Sequence, residues 1–123
     1  NKKKNIKNFL IDQNFVSGIG NIYASEILFL CKILPFKEVS SLNLNDCQKI
    51  SHFSKVVLRK AIEKGGSSIR DFKNTSGDQG SFQKNFNVYQ RENKKCLKYS
   101  CKGTIHKKFI SNRSSFFCNL CQK

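Results

Sequence analysis

The sequence predicts a mainly α-helical chain that ends in a small β-hairpin. Apolar residues recur at helical spacing in the first half, whereas the last quarter carries two close pairs of cysteines around a basic, aromatic segment. With 123 residues, the chain can form one helical core of modest size and one small appended element. We therefore expect a helical part over residues 1–81 and a connector with a C-terminal finger over residues 82–123.

The cysteines of the last quarter predict a metal site. They are Cys96, Cys101, Cys118 and Cys121, with four residues inside the first pair and two inside the second. Each pair fits a tight knuckle at one end of a hairpin, and two knuckles supply the four soft ligands of a tetrahedral zinc site. We expect one structural zinc ion. Disulfides are the alternative, which we disfavour because nothing else in the sequence is typical of a secreted protein.

The chain is strongly basic. Lys and Arg number 23 against eight Asp and Glu, so the formal net charge is +15. This excess indicates a polyanionic partner, nucleic acid first and a membrane surface second, although a biased genome would also produce it. No apolar run approaches the roughly 20 residues that span a bilayer, and no signal peptide is recognisable. We expect an intracellular protein in which Cys31 and Cys47 are reduced and buried.

A glycine turn separates the first two predicted helices. Asn8–Phe15 has the spacing of a short helix that buries Phe9 and Leu10. In Gly18–Asn21, two glycines permit a tight turn just before the next helix. Backbone N–H groups at such a helix start are unpaired and can bind phosphate, and the side-chain amide of Asn21 is a further donor. Alternatively, Asn21 only caps the helix.

The second predicted helix runs from Asn21 to about Lys32 and ends before Pro35, which cannot continue a helix. Its apolar residues recur at the spacing of a buried stripe on one face. They are Ile22, Tyr23, Ile27, Leu30 and Leu34. Core packing is the only role that this stripe indicates.

The third predicted helix has the clearest start signal. Asn43 can cap it, Asp46 can complete a capping box, and Leu42 can contact Cys47 across the first turn. Gly65-Gly66 is expected to close the helix as a left-handed cap. The apolar residues between these signals indicate a core-facing stripe. They are Ile50, Phe53, Val57, Leu58, Ala61 and Ile62.

The remaining sequence predicts a loop and a hairpin. Ser67–Ser81 is rich in Gly and Ser and has no apolar period, which is typical of a loop. The hairpin arms are predicted at Gly103–Ile110 and Ser114–Phe117, with Arg113 between them. They carry Phe109, Phe116 and Phe117. His106 is expected on the hairpin surface or as a substitute zinc ligand.

Four motifs occur in a fixed order along the chain. They are Gly18–Glu26 (GIGNIYASE), Gly65–Phe72 (GGSSIRDF), Val88-Tyr89 and Asn112–Lys123 (NRSSFFCNLCQK). Together they resemble the C-terminal half of bacterial formamidopyrimidine-DNA glycosylases, over essentially the whole chain. The resemblance implies a helix-two-turn-helix DNA-binding domain followed by a four-cysteine zinc finger. It also implies base-excision repair of oxidised purines such as 8-oxoguanine and formamidopyrimidines.

The resemblance assigns DNA contacts to four residues. Asn21 and the backbone N–H of Gly20 are expected to hold the damaged strand. Arg113 is expected to make a bidentate phosphate contact beside the everted nucleotide, and Lys7 matches a basic position near the DNA. The competing interpretations are a solvated Lys7 and an ordinary surface arginine at position 113.

Residues 66–81 resemble the lesion-recognition loop of that family, which closes over a purine turned out of the helix. The loop reads the base largely with main-chain amides and hydroxyls. Ser68, Arg70, Ser76 and Gly77 are the candidate contacts in this sequence. A flexible linker is the alternative for this segment.

The resemblance implies a catalytic mechanism whose residues are not found at the start of this sequence. In the family, the α-amine of an N-terminal proline forms a Schiff base at C1′, the neighbouring glutamate handles protons, and elimination nicks the strand. Residues 1 and 2 here are Asn and Lys. We therefore expect the catalytic residues of a bifunctional DNA glycosylase and abasic-site lyase on a preceding N-terminal domain, with no activity in this chain alone.

The expected partners are damaged double-stranded DNA and that N-terminal domain, in a monomeric protein of the bacterial cytoplasm and nucleoid. Two alternatives stay open from the sequence. One is a non-catalytic, zinc-containing DNA-binding module. The other is a fragment of an endonuclease VIII-like oxidised-pyrimidine glycosylase, which the double-glycine loop disfavours.

Overall fold

The computed structural model describes residues 4–12, 20–63 and 86–123, with the side chains of residues 61–63 excepted. The described elements are α1 (Ile6–Asp12), α2 (Gly20–Cys31), a 3-10 turn (Val39–Ser41), α3 (Leu44–Glu63), β1 (Ile105–Ile110) and β2 (Arg113–Cys118). The two strands form an antiparallel hairpin. The predicted order of helices followed by a hairpin is confirmed. No described helix is both long enough and apolar enough to cross a membrane.

Helix α1 begins at Ile6, two residues before the predicted start at Asn8. The missed signal is Asn5, whose side-chain oxygen accepts a hydrogen bond of 2.8 Å from the backbone N–H of Asn8. This bond satisfies a donor in the first turn, as a helix-capping residue does. Ile6 and Leu10 are buried, whereas Phe9 is only half-buried. The predicted end of the helix lies outside the described residues.

Helix α2 buries more than the predicted stripe. Ile22, Tyr23 and Ile27 are buried as predicted, but burial extends over nearly all sides of the helix. Ten of its 12 residues are buried. The helix packs against α1, α3 and β2. A helix with neighbours on several sides has little solvent face, so apolar residues can occur around most of it. Leu34, predicted as part of the stripe, lies beyond the end of the helix.

The end of α2 is set by Lys32 and not by Pro35 as predicted. Lys32 has a left-handed backbone with φ of 64°. The N–H of Lys32 donates to the carbonyl of Phe29 at 3.1 Å, and the N–H of Ile33 donates to the carbonyl of Leu28 at 3.0 Å. This pair of bonds is the Schellman motif, which usually has glycine at the left-handed position. The helix therefore ends before the proline could stop it.

The capping box of α3 is confirmed. The N–H of Asp46 donates to the side chain of Asn43 at 2.7 Å, and the N–H of Asn43 donates to the carboxylate of Asp46 at 3.1 Å. Leu42 packs on the helical core. Cys47 is exposed, which contradicts its predicted burial, because the first turn of α3 faces solvent.

The stripe of α3 is present but narrower than predicted. Val57 is buried, Ile50 and Phe53 are half-buried against the helical core, and Leu58 is exposed. The side chains of Ala61 and Ile62, and the predicted closing glycines, lie outside the described residues. Cys31 is buried as predicted, and this burial raises its pKa to about 12.

The hairpin is closed by a two-residue turn at Ser111 and Asn112. Both residues have left-handed backbones, with φ of 51° and 65°, as a type I′ turn requires. β1 begins two residues later than the predicted arm, and β2 is one residue longer at each end. Arg113 therefore belongs to β2, as the first residue after the turn, instead of lying between the arms.

The buried side chains form two clusters, and α2 contributes residues to both. The helical core contains Ile6, Leu10, Ile22, Tyr23, Ala24, Ile27, Leu28, Cys31, Ile33, Val57 and Phe86. The finger core contains Phe29, Val88, Cys96, Ile105, Phe116 and Cys118. Leu30 and Tyr89 contact both cores. Burial of this apolar surface stabilises both parts, at about 25 cal/mol per Å², and it joins them through one helix.

A buried carboxylate on α2 holds the connector that follows α3 in the chain. Glu26 accepts hydrogen bonds from the backbone N–H groups of Asn87, Val88 and Tyr89 at 2.8, 2.9 and 3.0 Å, and from the side-chain amide of Asn87 at 3.2 Å. Burial raises the pKa of Glu26, and these four donors oppose that shift. The bonds cross 61 to 63 residues of sequence.

A buried glutamine makes the second tie between the finger and the helices. The side-chain oxygen of Gln122 accepts a bond of 2.7 Å from the N–H of Cys118, and its amide donates to the carbonyl of Ile33 at 2.8 Å. The N–H of Lys123 donates to the carbonyl of Lys32 at 2.9 Å. The end of β2 is thereby fixed to the turn that follows α2.

We predict that Glu26→Gln lowers the free energy of unfolding by about 2–4 kcal/mol. The amide nitrogen of glutamine would face two of the N–H donors that the carboxylate now accepts. Urea denaturation followed by circular dichroism measures the change. Glu38→Gln is the matched control, because Glu38 is exposed and its replacement should cost no more than about 0.5 kcal/mol. Equal stability of the two variants would contradict the prediction.

Candidate nucleic-acid interface and cysteine cluster

Three elements bring Lys7, Asn21 and Arg113 together at the turn end of the hairpin. The ammonium group of Lys7 donates to the side-chain oxygen of Asn21 and, at 3.3 Å, to the carbonyl of Ser114. The side-chain amide of Asn21 donates to the same carbonyl at 3.3 Å. We call Lys7, Asn21, Arg113 and Ser114 the polar junction. It joins α1, α2 and β2 at one point.

Lys7 is fully buried, so the interpretation as a solvated lysine was wrong. Burial, together with the neighbouring positive charge of Arg113, lowers the pKa of Lys7 to about 8. Among the described residues, the ion pairs are Lys4 with Asp12 and Lys107 with Glu92, and neither reaches the junction. The junction therefore concentrates positive charge without a described acidic partner, and it would attract an anion.

Gly20 and Asn21 occupy the start of α2. Gly20 is the first residue of the helix and is buried, and Asn21 is the second. The side-chain bonds of Asn21 described above go to Lys7 and Ser114 instead of the first turn of its own helix. Asn21 therefore acts across elements, and the first-turn N–H groups beside it form the positive end of the helix dipole.

Sequence reasoning missed the carbonyl of Ser114, which organises the junction. A main-chain acceptor leaves no signal in the sequence, because its role depends on the position of β2 against α1 and α2. Asn8 adds a contact of the same kind, since its side-chain amide donates to the hydroxyl of Ser111 at 2.7 Å. The predicted loop contacts Ser68, Arg70, Ser76 and Gly77 lie outside the described residues, and they stay predictions.

The four cysteines of the finger lie close enough to hold one metal ion. Their sulfur atoms are all within 4.8 Å of one another. The sulfur of Cys96 is 3.9 Å from that of Cys121, and that of Cys101 is 3.6 Å from that of Cys118. None of the cysteines forms a disulfide, so the structure does not adopt the disulfide alternative.

Backbone N–H groups support the sulfur cluster. Lys98 donates to Cys96 at 3.5 Å, Gly103 donates to Cys101 at 3.4 Å, and Leu120 donates to Cys118 at 3.4 Å. In each case the donor follows the cysteine by two residues, so the knuckles share one local geometry. These bonds stabilise negatively charged sulfur, the form that binds metals.

Burial and local hydrogen bonds act in opposite directions on the thiols of the cluster, and the space around the sulfurs is tight. The N–H of Gly103 lowers the pKa of Cys101 to about 7, whereas burial raises the pKa of Cys96 and of Cys121. A Cβ atom at Gly103 would lie 2.5 Å from the sulfur of Cys118, so any other residue would push this sulfur aside. Glycine is therefore required where the two knuckles meet.

His106 lies outside the sulfur cluster. It is exposed, and its ring stacks on that of Phe117 with centroids 5.8 Å apart. Phe117 also meets Phe36 edge-on at 5.5 Å, and the ammonium group of Lys108 lies 4.4 Å from the centre of the Phe36 ring. This aromatic group packs one face of the hairpin against the segment after α2. The predicted surface position of His106 is confirmed, and the alternative of a substitute ligand is not.

Comparison with known families matches residues 1–73 to the family model described as the formamidopyrimidine-DNA glycosylase H2TH domain. A formamidopyrimidine-DNA glycosylase of Prochlorococcus marinus subsp. pastoris is 42% identical over 123 residues, which are 100% of this chain and 41% of that protein. The enzyme of the same name from Haemophilus influenzae is 44% identical over 122 residues, which are 99% of this chain and 44% of that protein. The chain thus spans less than half the length of these relatives.

Solved structures show the same fold. A complex between Lactococcus lactis Fpg and DNA that contains an abasic site has a TM-score of 0.79 and 36% identity, and the match covers 98% of this chain and 43% of that one. A structure of MutM in complex with DNA that contains carbocyclic 8-oxo-G has a TM-score of 0.78 and 35% identity, over 98% of this chain and 42% of that one.

We predict that Lys7 loses its proton near pH 8, well below the usual 10.5. The unfolded chain keeps that proton up to about 10.5, so the contribution of Lys7 to stability rises as the pH increases from 8 towards 10.5. NMR titration of the lysine side-chain carbons measures the midpoint. Arg113→Gln should raise it, because the positive charge of Arg113 is one cause of the low pKa. A midpoint near 10.5 in the unaltered chain would contradict the described burial of Lys7.

Proposed function

Since this chain belongs to the formamidopyrimidine-DNA glycosylase family with the H2TH domain, we propose that it is the damaged-DNA-binding C-terminal part of a base-excision-repair glycosylase. The observation that carries this proposal is the polar junction, where three structural elements bring donors together without a described acidic partner. Solved relatives bound to abasic-site DNA and to DNA with an 8-oxoguanine analogue support it. In this proposal residues 1–81 form the helix-two-turn-helix domain, and residues 82–123 form the connector and finger.

The junction has positive charge and donors for a phosphate of the damaged strand. Lys7 is buried and donates to Asn21 and Ser114, so its charge would attract the phosphate from behind these residues. Arg113 is exposed beside it, and a guanidinium can grip two phosphate oxygens at once. The N–H groups at the start of α2, including that of Gly20, add the positive end of a helix dipole.

Bound phosphate would also remove the electrostatic cost of burying Lys7. Burial and Arg113 disfavour the charged amine, and the negative charge of a nearby phosphate favours it. DNA binding should then be accompanied by proton uptake at pH values above about 8. Because the contacts are ionic, the affinity for DNA should fall as salt is added. The fall should be about 0.9 log units for each tenfold rise in salt concentration and each phosphate contacted.

The sulfur cluster fits one structural zinc ion. Zinc–sulfur bonds of about 2.3 Å in a tetrahedron place the sulfur atoms about 3.8 Å apart, close to the observed 3.6 and 3.9 Å. Four thiolates give the ion no open position for substrate, so its contribution when bound is structural. Cys118 and Arg113 are the two ends of β2. An ion at one end would therefore hold the arginine at the other.

The catalytic part of the proposal concerns the longer protein. We place the glycosylase and abasic-site lyase activity, on purines such as 8-oxoguanine and formamidopyrimidine, in a domain that precedes residue 1 and supplies the N-terminal proline and glutamate. Residues 66–81 would close over the everted base. The bacterial relatives suit a monomer that acts on chromosomal DNA in the cytoplasm.

We predict that Arg113→Ala weakens binding to a duplex with an abasic-site analogue by about 1–3 kcal/mol, because one charge-assisted phosphate contact is lost. Fluorescence anisotropy at several salt concentrations measures both the affinity and its salt slope, which should fall by about 0.9. Arg59→Ala removes the same charge from an exposed position on α3 and should change little. If both variants bind as the unaltered chain does, the proposed phosphate contact is excluded.

Metal removal should unfold the finger and leave the helices. We predict one zinc ion per chain by atomic emission, and loss of the amide NMR signals of β1 and β2 in Cys118→Ser, because zinc supplies about 10 kcal/mol or more of stability to such elements. Helical circular dichroism should persist. Cys47→Ser, at an exposed cysteine on α3, is the control and should keep its zinc. A Cys118→Ser chain with an intact hairpin would argue against the metal site.

A further inference from the structure

A basic pocket lies beside the sulfur cluster, away from the polar junction. Its volume is about 590 Å³, and its lining includes Lys32, Lys98, Tyr99, Lys102, Leu120 and Lys123. We call it the knuckle pocket. It opens at the Cys118 end of β2, whereas Arg113 is at the other end. Five residue steps of a strand separate these ends by roughly 17 Å, so occupation of one site does not use the residues of the other.

The positive charge that lines the knuckle pocket exceeds the negative charge around it. Four lysines line it, and no Asp or Glu of the described residues does. The ammonium group of Lys98 lies close enough to Lys32 to lower the pKa of Lys32. A tetrathiolate zinc site would have a net charge of about −2, which offsets half of the four lysine charges. The remaining charge makes the pocket complementary to carboxylates or phosphates.

Exposed apolar side chains surround the same charges. Tyr99 is 94% exposed, Leu97 is 58% exposed and Leu120 is 52% exposed. Leu97 and Tyr99 belong to the first knuckle and Leu120 to the second, and Tyr99 and Leu120 line the pocket. Neighbouring exposed apolar side chains, as Tyr99 and Leu120 are in this pocket, are typical of an interaction surface.

The backbone of the pocket is also unusual. Lys32 and Ser100 have φ of 64° and 65°, a conformation that costs least in glycine. Lys32 stands at the position of the Schellman motif that favours glycine. The chain thus keeps a long basic side chain at a position where glycine would be less strained.

We propose that the knuckle pocket binds an acidic segment of a partner protein, in which an apolar side chain is flanked by Asp or Glu. The apolar side chain would bury Tyr99 and Leu120, and the carboxylates would meet the lysines. A nucleic acid would balance the charge of the lysines but would leave Leu120 beside its polar sugar–phosphate backbone. The pocket also has only lysines, without the guanidinium that suits bidentate phosphate contact.

The test is fluorescence anisotropy with the zinc-loaded chain and three labelled probes of equal charge. They are a 12-residue peptide in which Asp and Glu alternate with Leu and Phe, the same peptide with Ser at the apolar positions, and an oligothymidylate. We expect the apolar acidic peptide to bind at least about tenfold more tightly than either of the others. Equal binding of the serine peptide, tighter binding of the oligonucleotide, or no binding of any probe would overturn the proposal.

Variants locate the site. The double variant Lys32→Gln with Lys98→Gln, and separately Leu120→Ser, should weaken peptide binding about tenfold. Lys55→Gln with Lys60→Gln removes the same charge from exposed positions of α3 and should bind the peptide as the unaltered chain does. Equal losses in both double variants would overturn the proposal, because net charge alone would then attract the peptide. Binding of abasic-site DNA, measured in parallel, reports on the polar junction separately, so failure of either proposal can be recognised.

Discussion

The buried carboxylate of Glu26 is the contact on which the rest of the structure depends. It satisfies three consecutive backbone N–H groups, of Asn87, Val88 and Tyr89, in a place that water does not reach. Without this pairing, burial of the carboxylate or of the N–H groups would cost free energy, because a buried charge and buried N–H groups both need partners. Their pairing directs the connector across α2, and this course brings Val88 into the finger core and Tyr89 between the two cores.

The polar junction is a product of that arrangement. Lys7 and Asn21 come from the helices, whereas Ser114 and Arg113 come from the hairpin. Glu26 and Gln122 fix the connector and the end of β2 to α2 and to the turn after it. The position of the arginine relative to Lys7 thus depends on buried polar bonds at the other end of the strand. A site that joins distant segments in this way is precise only while the cores behind it are rigid.

The sequence predicted elements whose signals are local and missed those that depend on tertiary contacts. The capping box of Asn43 and Asp46 and the cysteine pairs were found because their partners lie a few residues apart. The sequence did not indicate the burial of Lys7 or the end of α2 at Lys32. It also did not indicate the roles of Glu26 and Gln122. A lysine is usually solvated, and only the convergence of α1, α2 and β2 buries this one. Family motifs indicated Asn21 and Arg113 as contacts, but not the Ser114 carbonyl that lies between them.

The long sequence separation of the Glu26 contacts has a consequence for the growing chain. Helix α2 is buried on nearly every side, yet the residues that bind its carboxylate are synthesised 61 to 63 positions later. At about 5–20 residues per second, a ribosome needs roughly 3–12 s for that interval. During this time the nascent helix has neither its carboxylate partners nor the strand that packs on it. Its apolar side chains are exposed in this period, and exposed apolar surface favours aggregation.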